Sequence, residues 1–155
     1  MAVQKNINIQ NKKARFEFEI LDKFVAGIQL TGTEIKSIRL SQARITESFC
    51  EFNDRGELFI VNMYIQEYMF GHHFNHKPKS ERRLLLNKRE LRSLKKDVEA
   101  KGNTIVPLRL FINDNGFAKL EIALAKGKQT HDKREVLKAR DSKRDLARIK
   151  KNFNA

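Results

Sequence analysis

Phe16, Phe18 and Ile20 alternate with Glu17, Glu19 and Leu21, a period of two that predicts a half-buried strand. Gly27 interrupts the pattern, and Ile28-Gln29-Leu30 resumes it as a second strand. Thr-Gly-Thr-Glu (31–34) then changes the period. Thr33 is placed to cap a short helix with Ile35 and Ile38 on its inner face. Two strands follow, at about 47–52 and 57–63, and Asn53-Asp54-Arg55-Gly56 turns the chain between them. Residues 65–78 hold Gly71, three histidines and Pro78, and read as a loop with one helical turn.

Beyond the loop the signals are clearer. Residues 82–86 make a short buried strand. Asn87 caps the strongest helix, Glu90 sits three residues on, Leu91, Leu94 and Val98 form its apolar stripe, and Gly102 stops it. Strands at about 104–112 and 117–125 flank Asn113-Asp114-Asn115-Gly116, where Asn-Gly is a hairpin signal. About seven short strands and three helical pieces without a βαβ rhythm favour a mainly β fold. An OB-like closed antiparallel barrel is expected, because closure removes exposed edges.

Charge divides the chain. The 155 residues carry 32 Lys+Arg against 19 Asp+Glu, a net +13. Eleven of the bases and four of the acids fall in residues 126–155, so the last thirty residues hold +7 and the other 125 hold +6. The shift marks a boundary near Gly127 and gives three segments: a flexible start at 1–10, a barrel at 11–127, and a basic tail at 128–155. In the tail, Val136, Ala139, Lys143, Leu146, Ile149 and Phe153 are spaced as one helical face, apolar but for Lys143. The stripe is thin, so a tail disordered when free and helical when bound is expected.

An excess of this size on a small chain points to a polyanionic partner, most often nucleic acid. One cysteine, Cys50, excludes an internal disulfide, and no run approaches the ~18 apolar residues of a membrane span. Met1 to Lys13 has no apolar core of a secretory signal, which leaves a cytoplasmic protein as the expectation. No Gly-rich phosphate loop and no nucleophile elbow occur. His72, His73 and His76 sit in an extended loop where adjacent histidines diverge, so no metal site is expected, and contact with phosphate or base suits them better. Tyr64, Tyr68, Phe70 and Phe74 cluster in the same loop near Lys77, Lys79, Arg82 and Arg83, a composition that suits RNA.

Several blocks carry a resemblance. Gly-Ile-x-Leu-x-Gly-Thr-Glu-Ile-Lys-Ser-Ile-Arg (27–39) looks like the signature of the SsrA-binding proteins, also called small protein B. Asn-Lys-Lys-Ala-Arg (11–15), Asn-His-Lys-Pro (75–78), Arg-Arg-Leu-Leu-Leu-Asn-Lys-Arg-Glu (82–90) and Ile-Val-Pro-Leu-x-Leu (105–110) follow the same family order. Ala-Lys-Gly-Lys-x-x-His-Asp-Lys-Arg (125–134) and Ala-Arg-Ile-Lys-Lys-Asn (147–152) complete it.

The resemblance implies an OB-like barrel that binds the tRNA-like domain of transfer-messenger RNA, and an adaptor of trans-translation rather than an enzyme. Its tail is implied to occupy the vacant decoding site and mRNA channel of a stalled ribosome, against small-subunit rRNA. Elongation factor Tu is implied only indirectly, through the RNA. No membrane, cofactor or small-molecule substrate is implied. Carried onto this sequence, the RNA contacts are Asn11, Lys12, Lys13, Arg15, Glu34, Lys36, Ser37, Arg39, His76, Arg82, Arg83, Leu85, Asn87, Lys126 and Lys128. The ribosome contacts are His131, Asp132, Lys133, Arg134, Lys138, Arg140, Arg144, Arg148, Ile149 and Lys150. Glu34 and Asn87 keep two readings each: RNA partner, or helix cap. A generic OB-type RNA chaperone and an RNA-processing enzyme with a histidine-loop site are the competing readings. Tail-mediated membrane binding is a weaker fourth.

Overall fold

The computed structural model describes residues 6–100 and 102–128. Nine strands and three α-helices follow in the order β1 (Asn8–Gln10), α1 (Lys12–Glu17), β2 (Phe18–Ile28), α2 (Gly32–Arg39), β3 (Ala43–Arg44), β4 (Phe49–Phe52), β5 (Leu58–Val61), β6 (Tyr64–Ile65), β7 (Arg82–Leu85), α3 (Lys88–Val98), β8 (Asn103–Ile112) and β9 (Ala118–Gly127). The predicted basic tail falls outside the described residues, apart from Lys128.

Six strands close into an antiparallel ring. β8 pairs with β9, β9 with β2, β2 with β7, β7 with β5, and β5 with β4. The circle closes where β4 returns to β8, Cys50 opposite Ile105. β1 lies on the same edge of β8, Asn8 opposite Phe111, so part of the segment expected to be flexible is a strand. β3 and β6 form a separate two-stranded piece. The mainly β, closed antiparallel architecture matches the expectation.

The ring interior is filled from its strands by Ala26, Leu58, Ile60, Leu84, Ile105, Leu110, Leu120 and Ile122. Ile38 of α2 and Leu94 of α3 plug it from outside the sheet. A second, smaller core forms outside the ring, where Ala14 of α1 covers Val106, Leu108, Ala123 and Ala125. Two bulges create it. In β2 the register shifts between Ile20 and Asp22, and in β8 between Pro107 and Arg109. Each shift swaps the face that a strand presents. Phe18 and Ile20 therefore pack under α1, while Phe24 and Ala26, of the same parity, face the ring interior. Proline, without an N–H to give the ladder, suits the β8 bulge.

Several local expectations change. Phe16 is helical, since α1 replaces the start of the expected strand. β2 runs unbroken through Gly27, whose missing side chain lets Leu85 approach: a Cβ there would lie 3.3 Å from Leu85 Cβ. The cap of α2 is Thr31 rather than Thr33, with a full capping box to Glu34. Asn87 caps α3 as expected, accepting from the Glu90 amide at 2.8 Å.

Both Asn-Asp-x-Gly turns take the same form. Asn53 and Asn113 each accept two backbone amides through Oδ1, and Gly56 and Gly116 sit at φ +78° and +83°. The second is therefore a longer turn rather than a two-residue Asn-Gly one. Cys50 is buried, and burial pushes its thiol far above the usual cysteine range, which makes it inert packing.

Candidate RNA interface

Helix α2 is held from beneath by a buried ion pair. Oε1 of Glu34 accepts the Thr31 amide at 2.9 Å, and Oε2 takes the Nε–H of Arg82. The rest of the guanidinium donates to backbone carbonyls: Nη1 to Met63 at 2.9 Å, and Nη2 to Lys77 and Pro78 at 3.2 and 3.0 Å. The two side chains are only 5% and 1% exposed. A buried charge needs this degree of pairing. Glu34 is thus seen as cap and ion-pair partner, and Arg82 as an interior clamp that joins α2 to Met63 before the 66–81 loop and to Lys77 and Pro78 within it. Neither lies at the surface where RNA could be touched directly.

Ser37 and His76 are interior as well. The Ser37 hydroxyl has no hydrogen-bond partner among the described residues. His76 places Nδ1 2.9 Å from the Thr33 hydroxyl and Nε2 2.9 Å from the Ile65 carbonyl, so neither ring nitrogen is left for a ligand. His72 and His73 are exposed. Among the described residues no group of three or more His, Cys, Asp or Glu could hold a metal ion.

What the fold turns outward forms two areas. The first joins α2 to the β2–β7 seam. Lys36 is exposed and Arg39 half-buried on α2, and Arg83 on β7 is exposed with its Nη1 3.1 Å from Glu57. Beside them a groove of about 440 Å³ is lined by Gly27, Ile35, Arg39, Leu85, Phe117 and Lys119. Leu85 is 50% exposed and Phe117 66%, an unusual expense of apolar surface unless something covers it. Sequence reasoning passed over Val25, Phe117 and Lys119. The signal available for Val25 was the run Phe24-Val25-Ala26, which breaks alternation and leaves one apolar side chain facing out, here 52% exposed.

The second area joins residues more than a hundred positions apart. Asn11 is buried and caps α1: Oδ1 accepts the Ala14 amide at 3.2 Å, and Nδ2 donates to the Pro107 carbonyl at 3.0 Å, at the β8 bulge. This sets Lys12, Lys13 and Arg15 on an exposed helix face. Lys13 bonds Glu47, which holds its ammonium above the usual lysine range, with a smaller charge effect from Glu17. At the end of β9, the Lys128 amide donates to the Glu17 carbonyl at 3.0 Å, and its Nζ to the Arg15 carbonyl at 3.3 Å. Lys126 is exposed one pair further along, opposite Glu19. The chain therefore leaves the barrel beside the basic face of α1. Asn87 stands apart, exposed at the head of α3. The expected ribosome contacts, His131 to Lys150, lie outside the described residues.

Comparison with known proteins gives the family. The family model described as SmpB protein matches residues 8–152. A curated SsrA-binding protein of Flavobacterium psychrophilum is 66% identical over 149 residues, covering 96% of this chain and 99% of that protein. One from Brucella canis is 54% identical over 140 residues, covering 90% and 88%. A solved chain described under "tmRNA-SmpB: a journey to the center of the bacterial ribosome" superposes with a TM-score of 0.67 at 45% identity, covering 80% of this chain and 86% of its own. With a family match from the first strand through to the basic tail, and relatives this similar over nearly their whole length, the chain belongs to the SmpB protein family.

Proposed function

We propose that this chain is the RNA-binding adaptor of trans-translation. The barrel binds the tRNA-like domain of transfer-messenger RNA, and the basic tail enters the vacant decoding site and mRNA channel of a stalled ribosome. The observation that carries this reading is the family match over residues 8–152, which takes in both charge halves of the chain. The geometry supports a division of labour. Lys36, Arg39 and Arg83, beside the apolar Leu85–Phe117 groove, suit RNA whose bases are partly unstacked. Lys12, Arg15, Lys126 and Lys128 gather cations where the chain leaves β9 toward the tail.

In this reading Glu34, Arg82, His76 and Asn11 act as positioning residues. They set α2, the 66–81 loop and α1 at the angles from which exposed cations meet phosphates. The protein supplies binding and no bond chemistry, and works in the cytoplasm with the ribosome. Among the described residues no helix is long and apolar enough to cross a membrane.

Competition binding separates this from a generic RNA chaperone. The labelled tRNA-like domain should resist displacement by unrelated structured RNA of equal length. Equal displacement by both RNAs would support the chaperone instead. Affinity should also fall with salt, with a slope of about 0.7–0.9 per phosphate neutralised.

A further inference from the structure

The 66–81 loop exposes large apolar groups: Phe74 is 91% exposed, Phe70 66% and Met69 51%. The loop is nonetheless firmly held. Asn75 Oδ1 accepts the amides of Tyr68 and His76 at 3.0 and 3.2 Å, and its Nδ2 donates to the Tyr68 carbonyl at 2.7 Å. Gly71 leaves no room for a side chain, since a Cβ would lie 2.5 Å from Asn75 Nδ2. Next to it, His72 holds φ +48°, a left-handed conformation rarely adopted by a non-glycine residue. Such strain concentrates at ligand clamps.

Between this loop and β6 lies an open groove of about 500 Å³, within the ~300–1,000 Å³ range of small-ligand sites. Tyr64, Tyr68, Met69 and His72 line it, with Gln66 and one acid, Glu67. Each tyrosine ring has a cation over it. The Arg44 guanidinium lies 4.7 Å from the Tyr64 centroid, and the Lys36 ammonium 5.5 Å from that of Tyr68. Phe70 meets Tyr68 edge-on at 5.6 Å, which further fixes the ring. Aromatic rings bordered by cations suit an unstacked base and its flanking phosphates. Gln66, Glu67 and His72 supply donors and acceptors for a base edge. The cations favour RNA over an apolar protein partner.

We propose that this groove receives one unstacked nucleobase of transfer-messenger RNA, stacked on Tyr68, with Lys36 and Arg44 on the neighbouring phosphates. The proposal rests on the reading of α2 as RNA-facing, because Lys36 belongs to α2 and borders the groove. The test uses the full-length protein and a transfer-messenger RNA transcript, with Tyr68→Ala, Tyr68→Phe and the exposed-site variant His72→Ala.

Tyr68→Ala should weaken binding about 5- to 150-fold without changing the salt slope, because no charge is removed. Tyr68→Phe should bind like wild type. Base-directed chemical probing should show a nucleotide that wild type protects and that Tyr68→Ala and His72→Ala leave reactive. Wild-type affinity and an unchanged protection pattern in both of those variants would overturn the groove. Protection confined to ribosomal RNA in a ribosome complex would overturn it too. If wild type itself fails to prefer the tRNA-like domain, the parent reading fails, an outcome visible before any variant is made.

Discussion

Arg82→Met tests whether the buried clamp holds the fold as described. The substitution keeps most of the volume and removes the charge. It strands the Glu34 carboxylate, 5% exposed, and takes donors from the carbonyls of Met63, Lys77 and Pro78. Breaking one side of a buried ion pair costs about 3–5 kcal/mol, whereas exposed pairs contribute at most about 1 kcal/mol. Urea unfolding followed by circular dichroism measures the loss as a shift of midpoint at constant slope. Glu34→Gln with Arg82→Met should cost less than the sum of the two singles, by about 1–3 kcal/mol, because the orphaned charge is gone. Arg82→Lys should rescue poorly, since an ammonium cannot span the four acceptors of the guanidinium fork. A loss below about 1 kcal/mol for Arg82→Met, or strict additivity in the cycle, would refute the clamp.

Three further outcomes follow from the geometry. Asn11→Ala should cost about 2 kcal/mol in the same assay, because it removes the α1 cap and unpairs the Pro107 carbonyl. Gly27→Ala should displace Leu85 through the 3.3 Å contact; filter binding should show weaker capture of the tRNA-like domain, while stability stays within about 0.5 kcal/mol of wild type. Glu57 is held below the usual carboxylate range, chiefly by its hydrogen bond from Asn53 and then by the Arg83 charge. Its contribution is therefore fully present above the ordinary glutamate range and lost as pH falls through the lowered value. Stability curves of wild type and Glu57→Gln should accordingly separate at neutral pH and converge in acid.

The parts of the fold legible in the sequence were those written in local signals. Asn87 before Leu91, Leu94 and Val98 announced α3, and two Asn-Asp-x-Gly turns announced two hairpins. The misread parts depended on distant partners. Residues 12–17 look like the lead-in to a strand because Phe16, Phe18 and Ile20 alternate. They form a helix because Asn11 caps it against the β8 bulge and Ala14 fits over Val106 and Ala125. The bulges themselves leave no mark in the pattern, since same-parity residues continue in number while changing face. β3 and β6, at two residues each, are too short to show a period.

The site was legible as a set of residues but not as a surface. Arg82 and Arg83 read alike as cations, and only the alternation of β7 sends one inward to Glu34 and the other toward Glu57. His76 likewise reads as a contact residue until its ring is seen bridging Thr33 and the Ile65 carbonyl.

Removal of residues 133–155 tests the central claim most directly. The barrel and its outward cations stay intact, while most of the tail's positive charge goes. Binding of the tRNA-like domain by the truncated protein should match the full chain, and peptide tagging on stalled ribosomes should be abolished. Normal tagging by the truncated protein would contradict the account.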